Sequence, residues 1–245
     1  LVGDRTEDTV QDVAMARSAA CLVAKVHQAV ADLEWRFRSV RPGAHDTDAH
    51  HKRLLDAIAR HPHHRLADDV QRLAADLDAR WRSWDGPRDL PKRKVHGDLK
   101  FSNVRFQGTE AVALIDLDTW QDGHLDAELG DAMRSWCNRG GEDQTEARVD
   151  VDVFAAAMRG YHDGDDGLTT DDEWRGMAPG LERIALELSM RFAQDALDES
   201  YFGFDPAIGR GEHNLLRASG QLALAHAARD QRKTLDAAVT QVRGR

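Results

Sequence analysis

The residues whose types and spacing could do chemistry are concentrated in one short stretch of the chain. The segment 96–103 reads HGDLKFSN, and Asp116 follows Asn103 by thirteen residues, directly after an apolar run. A loop carboxylate can accept the proton of a hydroxyl, and an amide oxygen with a second carboxylate can hold Mg²⁺. Transfer of a phosphoryl group from ATP to a hydroxyl uses this combination of proton acceptor and cation ligands. The pattern therefore predicts a phosphoryl-transfer site.

Each polar residue of this stretch has a predicted role in that chemistry. Asp98 is the predicted general base, and Asn103 and Asp116 are the predicted ligands of Mg²⁺ and, through it, of the ATP phosphates. Lys100 could meet the transferring phosphate as a point charge, with a solvated surface lysine as the alternative. His96 is better suited to bracing the loop than to proton transfer, which Asp98 can perform. An aspartate after a glycine can also simply cap a turn, so the prediction depends on the combination.

Two short strands are expected to bring the metal ligands together. Residues 103–106 and 111–115 have the composition of β-strands joined by a tight turn. Asn103 opens the first strand and Asp116 closes the second, so an antiparallel hairpin places both at the same edge. The catalytic loop and hairpin are thus expected to form one unit over 95–118.

The rest of the chain has the three- and four-residue apolar periodicity of helices with one buried face. Helices are predicted over residues 9–38, 49–60, 66–84, 127–136, 151–161, 170–201 and 214–229. The longest begins with a capping box, TDDE at 170–173, and is expected to break near Pro179 because proline lacks the N–H donor. The predicted fold class is mainly α (α+β), a single helical domain over 1–245 with a small β insert.

Composition argues against several kinds of partner. The formal net charge of −10 disfavours nucleic acid, whose phosphates bind cationic side chains. An acidic balance could suit a cationic substrate, although solubility alone explains it. The first residues are too charged for a signal peptide, and no run approaches the roughly 20 apolar residues that span a bilayer. We therefore expect no membrane partner. Cys21 and Cys137 give no disulfide framework, which predicts a reducing compartment and hence a cytoplasmic protein.

The same residues carry a resemblance to a known family. The HGD loop that ends in Asn103, followed by the ID pair at 115–116, resembles the aminoglycoside phosphotransferase and choline kinase superfamily. The segments IDLDT at 115–119 and GDA at 130–132, with RF at 191–192, are similar to its N-acetylhexosamine kinase branch. The resemblance runs from about residue 95 to about residue 229 and is stronger in its first half.

The resemblance implies a protein-kinase-like fold, of which this chain is the C-terminal helical lobe with a β-hairpin carrying the metal ligands. It also implies ATP-dependent transfer of the γ-phosphoryl group to a small-molecule hydroxyl, with Asp98 meeting the substrate. By position it makes Asp131 a buried aspartate that braces the catalytic loop, and it makes Arg191 and Tyr201 sugar contacts. Ordinary structural roles compete with the last two, because Arg191 can pair with an acidic residue at helical spacing and Tyr201 can be core.

One part of the family pattern has no counterpart in the sequence. Such kinases place a sheet lobe before the helical lobe, with a Gly-rich phosphate cover and a strand lysine. Upstream of Asp98 the pattern is helical and the chain opens at Leu1. We therefore expect the chain to be one lobe of a longer protein, and to bind ATP weakly without its N-terminal lobe. An amino sugar is the first predicted acceptor. The alternatives are an aminoglycoside or amino-alcohol kinase, or a non-catalytic binding module without the ATP-covering lobe.

Overall fold

The computed structural model of the protein describes residues 2–37, 43–138, 140–141 and 143–244. Helices dominate this part of the chain, and the predicted mainly α class with a small β component is confirmed. The helices are α1 Val13–Ala29, α2 Thr47–Arg60, α3 Ala67–Arg82, α4 Leu125–Trp136, α5 Val151–Gly164, α6 Asp171–Asp198, α7 Arg210–Asp230 and α8 Arg232–Arg243. The strands are β1 Arg93–Val95, β2 Val104–Gln107, β3 Glu110–Leu114 and β4 Gln121–Gly123.

The strands pair into two small antiparallel sheets within the described residues. Strands β2 and β3 form the predicted hairpin, with Val104 opposite Leu114. Strands β1 and β4, which were not predicted, pair with Val95 opposite Gln121. Three-residue strands are too short to show the alternation by which a strand is recognised in a sequence. Because β1 ends and β2 begins at the two ends of the segment 96–103, both sheets fix the position of this loop.

The core is built around α6, which packs against α2, α4 and α7, while α1 packs against α5. Phe101, inside the loop 96–103, is fully buried in this core. Its ring centroid lies 5.2 Å from that of Phe106 and 5.5 Å from that of Trp136. Full burial of a phenylalanine side chain contributes roughly 1.5–3 kcal/mol to the free energy of unfolding. The loop is therefore anchored to the core by an apolar side chain between its polar residues.

The predicted break at Pro179 was wrong, because α6 is continuous from Asp171 to Asp198. The helix crosses α4 so closely that a Cβ on Gly180 would lie 2.2 Å from the backbone oxygen of Asp126. Trp84 Nε1 donates a hydrogen bond to the carbonyl of Pro179 at 3.0 Å. Packing on these buried sides outweighs the cost of about 3 kcal/mol for proline in a helix. The capping box at the start of α6 is confirmed.

The two ends of the chain differ from the prediction. Helix α1 is shorter than predicted and begins after Asp12, whose Oδ1 accepts a hydrogen bond from the Ala14 N–H at 2.8 Å. Residue 38, the predicted end of that helix, lies outside the described residues. Helix α8 was missed, although its apolar residues 235, 239 and 242 have helical spacing and are buried. Each helix in the described residues is too short or too polar to span a membrane.

Candidate active site

The loop 96–103 is held by Glu128, in the first turn of α4. The carboxylate of Glu128 accepts hydrogen bonds from the backbone N–H of His96 at 2.8 Å and of Gly97 at 2.9 Å. Glu128 is buried, and His27 Nε2 lies 3.4 Å from the same oxygen that binds His96. A buried carboxylate is stable only with such partners. Glu128 therefore fixes the backbone directly before Asp98.

His96 connects the loop to the end of β3. Its Nε2 lies 2.9 Å from the carbonyl oxygen of Ile115, and because a carbonyl only accepts, Nε2 must carry the proton. Thr119 Oγ1 donates to the His96 carbonyl at 2.7 Å. Gly97 has φ +80°, and a Cβ there would lie 2.6 Å from the backbone oxygen of Thr119. The backbones before Asp98 and before Asp116 are thus parts of one hydrogen-bonded unit.

Asp98 lies at the centre of a small polar cluster. Asn103 Nδ2 donates to the Asp98 carbonyl oxygen at 2.8 Å and to Asp98 Oδ2 at 3.2 Å. Lys100 Nζ donates to the same Oδ2 at 3.0 Å. The Asp98 side chain is 30% exposed, so a ligand can reach it. The carboxylate is held in a defined position and remains accessible, as a general base must be.

Asn103 and Asp116 are chemically suited to Mg²⁺. Because Asn103 Nδ2 is used in its bonds to Asp98, the amide oxygen is the atom left for a cation. Asp116 is exposed and has φ +64°, a left-handed conformation that is uncommon outside glycine and is concentrated at functional sites. The Ile115 N–H donates to the Asn103 carbonyl at 3.0 Å, which joins the two positions. Mg²⁺ keeps waters and binds phosphate oxygens, so two protein ligands suffice.

The charge on Lys100 is stabilised by the acids around it. Burial lowers the pKa of Lys100, but the hydrogen bond to Asp98 and the charges of Asp98, Asp116 and Asp131 outweigh it and raise the pKa. Lys100 therefore stays protonated and lies within electrostatic reach of three carboxylates. This keeps a positive charge in direct contact with the candidate base.

Two adjoining cavities lie beside the loop 96–103, and Asp98 lines the first of them. The first, of about 300 Å³, will be called the acceptor cavity. Its polar lining is His45, Asp98, Lys100, Asp131, Arg134, Glu187, Arg191 and Arg217. The second, of about 210 Å³, will be called the side cavity, and it shares His45, Gly97 and Arg191 with the first. Tyr201 lines the side cavity with its largely exposed ring.

A larger cavity of about 740 Å³ lies between α3, β4 and the start of α4. Asp98, Asn103 and Asp116 do not line it. Size alone does not identify a reaction site, because the chemistry needs a proton acceptor within hydrogen-bond reach of the reacting group. The acceptor cavity is therefore the better candidate for the reaction.

Residues 2–167 match the sequence profile of the family described as "Phosphotransferase enzyme family" (APH). This chain belongs to that family. The homoserine kinase of Chelativorans sp. is 33% identical to this family member over 144 residues, which cover 57% of this chain and 39% of that protein. The homoserine kinase of Methylocella silvestris is 31% identical over 146 residues, 60% of this chain and 41% of that protein. The matches thus span less than half the length of either kinase.

Solved structures show the same fold as this phosphotransferase-family chain. An aminoglycoside phosphotransferase from Alicyclobacillus acidocaldarius superposes with a TM-score of 0.61 at 18% identity, over 99% of this chain and 70% of that one. A choline kinase from Cryptosporidium parvum superposes with a TM-score of 0.55 at 9% identity, over 98% of this chain and 71% of that one. The predicted superfamily and its protein-kinase-like fold are confirmed.

In this phosphotransferase-family chain, Asp131 lies in the wall of the acceptor cavity. It accepts a hydrogen bond from Arg134 Nε at 3.0 Å, and its side chain is 16% exposed. The hydrogen bonds to the loop backbone described above come from Glu128, three residues earlier on α4. Sequence reasoning missed Glu128. The available signal was its acidic side chain in the first turn of a helix, on the same face as Asp131.

The alternative role of Arg191, an ion pair with Glu187 or Asp195 at helical spacing, is not found among the residues that the structure describes. Glu187 instead contacts His45 Nδ1 at 3.0 Å and Thr47 Oγ1 at 2.9 Å. Asp195 accepts hydrogen bonds from the backbone N–H groups of residues 200–202 at 2.8–2.9 Å. The Arg191 guanidinium carbon lies 5.6 Å from the centroid of the Phe202 ring. Arg191 thus lines both cavities with its charge unmatched on its own helix.

The contact between His45 and Glu187 joins α6 to the segment before α2. Burial lowers the pKa of His45, but the hydrogen bond and charge of Glu187 outweigh it, so the pKa is raised. Burial raises the pKa of Glu187, but the contacts with His45 and Thr47 lower it by more, so the pKa of Glu187 is lowered overall. Both shifts favour the charged forms. The pair therefore forms an ionic contact in the wall of the acceptor cavity.

Proposed function

We propose that this chain is the catalytic helical lobe of a small-molecule kinase, which transfers the γ-phosphoryl group of ATP to a hydroxyl of an amino sugar. The observation that carries the proposal is the Asp98 carboxylate, held by Asn103 and Lys100 in the wall of the acceptor cavity. A hydroxyl in this cavity would meet a fixed proton acceptor. Family membership supports phosphoryl transfer as the reaction.

In the proposed reaction, Asp98 accepts the proton of the acceptor hydroxyl. The hydroxyl oxygen forms a bond to the γ-phosphorus of ATP, and the bond from that phosphorus to the ADP oxygen breaks. Lys100, which pairs with Asp98 in this structure, can turn its charge toward the phosphate oxygens as Asp98 takes up the proton. Asn103 Oδ1 and Asp116 would hold Mg²⁺. When bound, Mg²⁺ neutralises charge on the phosphate oxygens.

Glu128 supports this reaction without touching the substrate. Its two hydrogen bonds fix the backbone of His96 and Gly97, and the next residue in the chain is Asp98. A displacement of about 1 Å in a catalytic group can cost on the order of a hundredfold in rate. Glu128 is therefore proposed as a positioning residue.

The amino-sugar acceptor is the finer part of the proposal. Arg191 and Tyr201 line the side cavity, where a guanidinium and an aromatic ring can contact a sugar. A cavity of about 300 Å³ is at the small end of ligand sites, which suits one ring. An amino alcohol or hydroxy amino acid is the second candidate, since the curated relatives are named homoserine kinases.

A second lobe is also part of the proposal. The chain covers 70% of the Alicyclobacillus phosphotransferase structure, although almost all of this chain is matched. We infer that an ATP-covering lobe belongs to the working enzyme and that the 245 residues alone bind ATP weakly. Calorimetry with ATP and Mg²⁺ on the 245-residue chain and on the longest chain that the gene encodes tests this inference. Equally tight ATP binding by the 245-residue chain would contradict it.

An acceptor panel tests the proposed function. The longest chain that the gene encodes is incubated with ATP and Mg²⁺ and with amino sugars, aminoglycosides, choline and L-homoserine in turn. Phosphorylated product from one acceptor class, detected by mass spectrometry, supports the kinase and identifies its substrate class. No product from any acceptor, with folded protein confirmed by circular dichroism, would favour the non-catalytic binding module instead.

A further inference from the structure

The charged side chains that line the side cavity in the described part of the chain are basic. Its lining includes His45, Arg53 and Arg191, and none of the described residues that line it is an aspartate or glutamate. The adjoining acceptor cavity, in contrast, contains three carboxylates. A concave site lined by charges of one sign concentrates ions of the opposite sign. The lining therefore changes from a mixture of acids and bases in the acceptor cavity to bases in the adjoining side cavity.

Arg191 is the base in this lining whose charge is least satisfied. Within the described part of the chain, no hydrogen bond or ion pair to its guanidinium is found, and its contact is with the face of the Phe202 ring. A contact with a ring face does not replace hydrogen bonds to oxygen, so the N–H donors of the guanidinium are available to a ligand. These donors match the two oxygens of a carboxylate or two oxygens of a phosphate.

The other two bases of the side cavity that can carry a positive charge are Arg53 and His45, and they differ in whether an acid balances them. Arg53 contacts His50 Nδ1 at 3.1 Å, and burial lowers the pKa of His50, which keeps this imidazole neutral. Arg53 therefore has a neutral partner there, and its positive charge is not cancelled. His45 is protonated to higher pH than an ordinary histidine and is balanced by Glu187, on its acceptor-cavity side. Among the described residues of the side cavity, the guanidinium charges of Arg53 and Arg191 therefore have no acidic partner.

We propose that the side cavity is an anion subsite in which Arg191, supported by Arg53, binds a carboxylate or similar acidic group of the acceptor. The inference rests on the proposed function, because it assumes that the acceptor hydroxyl meets Asp98. The two cavities share His45, Gly97 and Arg191, so one molecule can extend from Asp98 into the side cavity. The acceptor class is then a hydroxy acid, such as an acidic amino sugar or a hydroxy amino acid, and not a polycationic aminoglycoside.

Sulfate binding tests the subsite without any turnover. Calorimetry on the 245-residue chain is compared for the unchanged protein, Arg191→Gln and Arg72→Gln, an exposed arginine of α3 that lies outside both cavities. We expect saturable sulfate binding that weakens at least tenfold in Arg191→Gln and is unchanged in Arg72→Gln. Arg53→Gln, a substitution of an exposed side chain, provides a second variant and is expected to weaken binding about threefold. No binding, or equal binding by all four proteins, would overturn the subsite.

Matched acceptors decide whether the anion belongs to the acceptor. The longest encoded chain is assayed with L-homoserine against L-homoserinol, and with N-acetylmuramic acid against its methyl ester. The proposal predicts at least tenfold higher kcat/KM for the acidic member of one pair, and loss of that preference in Arg191→Gln. Equal use of both members, with sulfate still bound at Arg191, would show that the site takes a free anion and would overturn the acceptor assignment. Sulfate binding without turnover on any acceptor would contradict the proposed function and leave the anion site standing.

Discussion

Glu128 accepts a hydrogen bond from the backbone N–H of Gly97 at 2.9 Å, one residue before the candidate base Asp98. The other carboxylate oxygen of Glu128 binds the N–H of His96. A buried side chain on α4 thus sets the path of the loop that carries the chemistry. This contact makes the geometry of the site dependent on helix packing as well as on the loop itself.

Glu128→Gln is expected to lower kcat by roughly tenfold to a hundredfold, because the amide replaces one of two acceptors and displaces the loop. The free energy of unfolding should fall by about 1–3 kcal/mol, since a backbone N–H loses its buried partner. Steady-state kinetics and thermal unfolding measure the two effects. Glu146→Gln, at an exposed position, serves as the control. An unchanged kcat in Glu128→Gln would remove the positioning role.

Gly97→Ala should be far more disruptive than Gly108→Ala. Both glycines have positive φ, +80° and +62°, so each alanine carries the left-handed cost of roughly 1–2 kcal/mol. Only at Gly97 would the new Cβ meet an atom, the Thr119 backbone oxygen at 2.6 Å, whereas Gly108 has open space. We expect the melting temperature to fall further in Gly97→Ala than in Gly108→Ala, and we expect activity to be lost in Gly97→Ala and kept in Gly108→Ala. Similar melting temperatures for both variants would contradict this.

The His45–Glu187 contact predicts a defined dependence of stability on pH. The folded pKa of His45 is raised, so its contribution is complete below the unfolded value of 6.5 and is lost as pH rises through the folded value. The folded pKa of Glu187 is lowered, so its contribution is complete above 4.5 and is lost as pH falls through the folded value. The stability difference between the unchanged protein and His45→Gln should therefore be larger at about pH 5.5 than at about pH 9. Thermal unfolding at both values measures it, and an equal difference would exclude the ionic pair.

Asp116→Asn is expected to raise the Mg²⁺ concentration for half-maximal activity by about tenfold or more, because the site loses its charged ligand while Asn103 remains. Titration of activity with MgCl₂ at saturating ATP measures the change. Asp89→Asn, at an exposed position outside both cavities, should leave the titration unaltered. Identical Mg²⁺ titrations for the two variants would argue against Asp116 as a ligand.

Local patterns in the sequence were sufficient to locate helices α1 to α7 and the β2–β3 hairpin, although α1 is shorter than predicted and α8 was missed. The loop motif identified the superfamily because its residues lie close together in the chain. Glu128 was missed because its hydrogen bonds span about 30 residues, and its place in the first turn of a helix does not identify the backbone groups that it binds. The continuity of α6 through Pro179 was missed for the same reason, since packing against α4 and Trp84 decides it. The basic lining of the side cavity likewise combines residues from α2 and α6 that only tertiary structure brings together.

The most direct test of the account is the kcat of Asp98→Asn in the longest encoded chain, measured on the best acceptor of the panel. Asparagine keeps the size of the side chain but cannot accept the hydroxyl proton as a carboxylate does. The account predicts a fall of roughly 10²–10⁴-fold in kcat with the fold and ATP binding preserved. A kcat within threefold of the unchanged enzyme would show that Asp98 is not the base, and the central claim would be wrong.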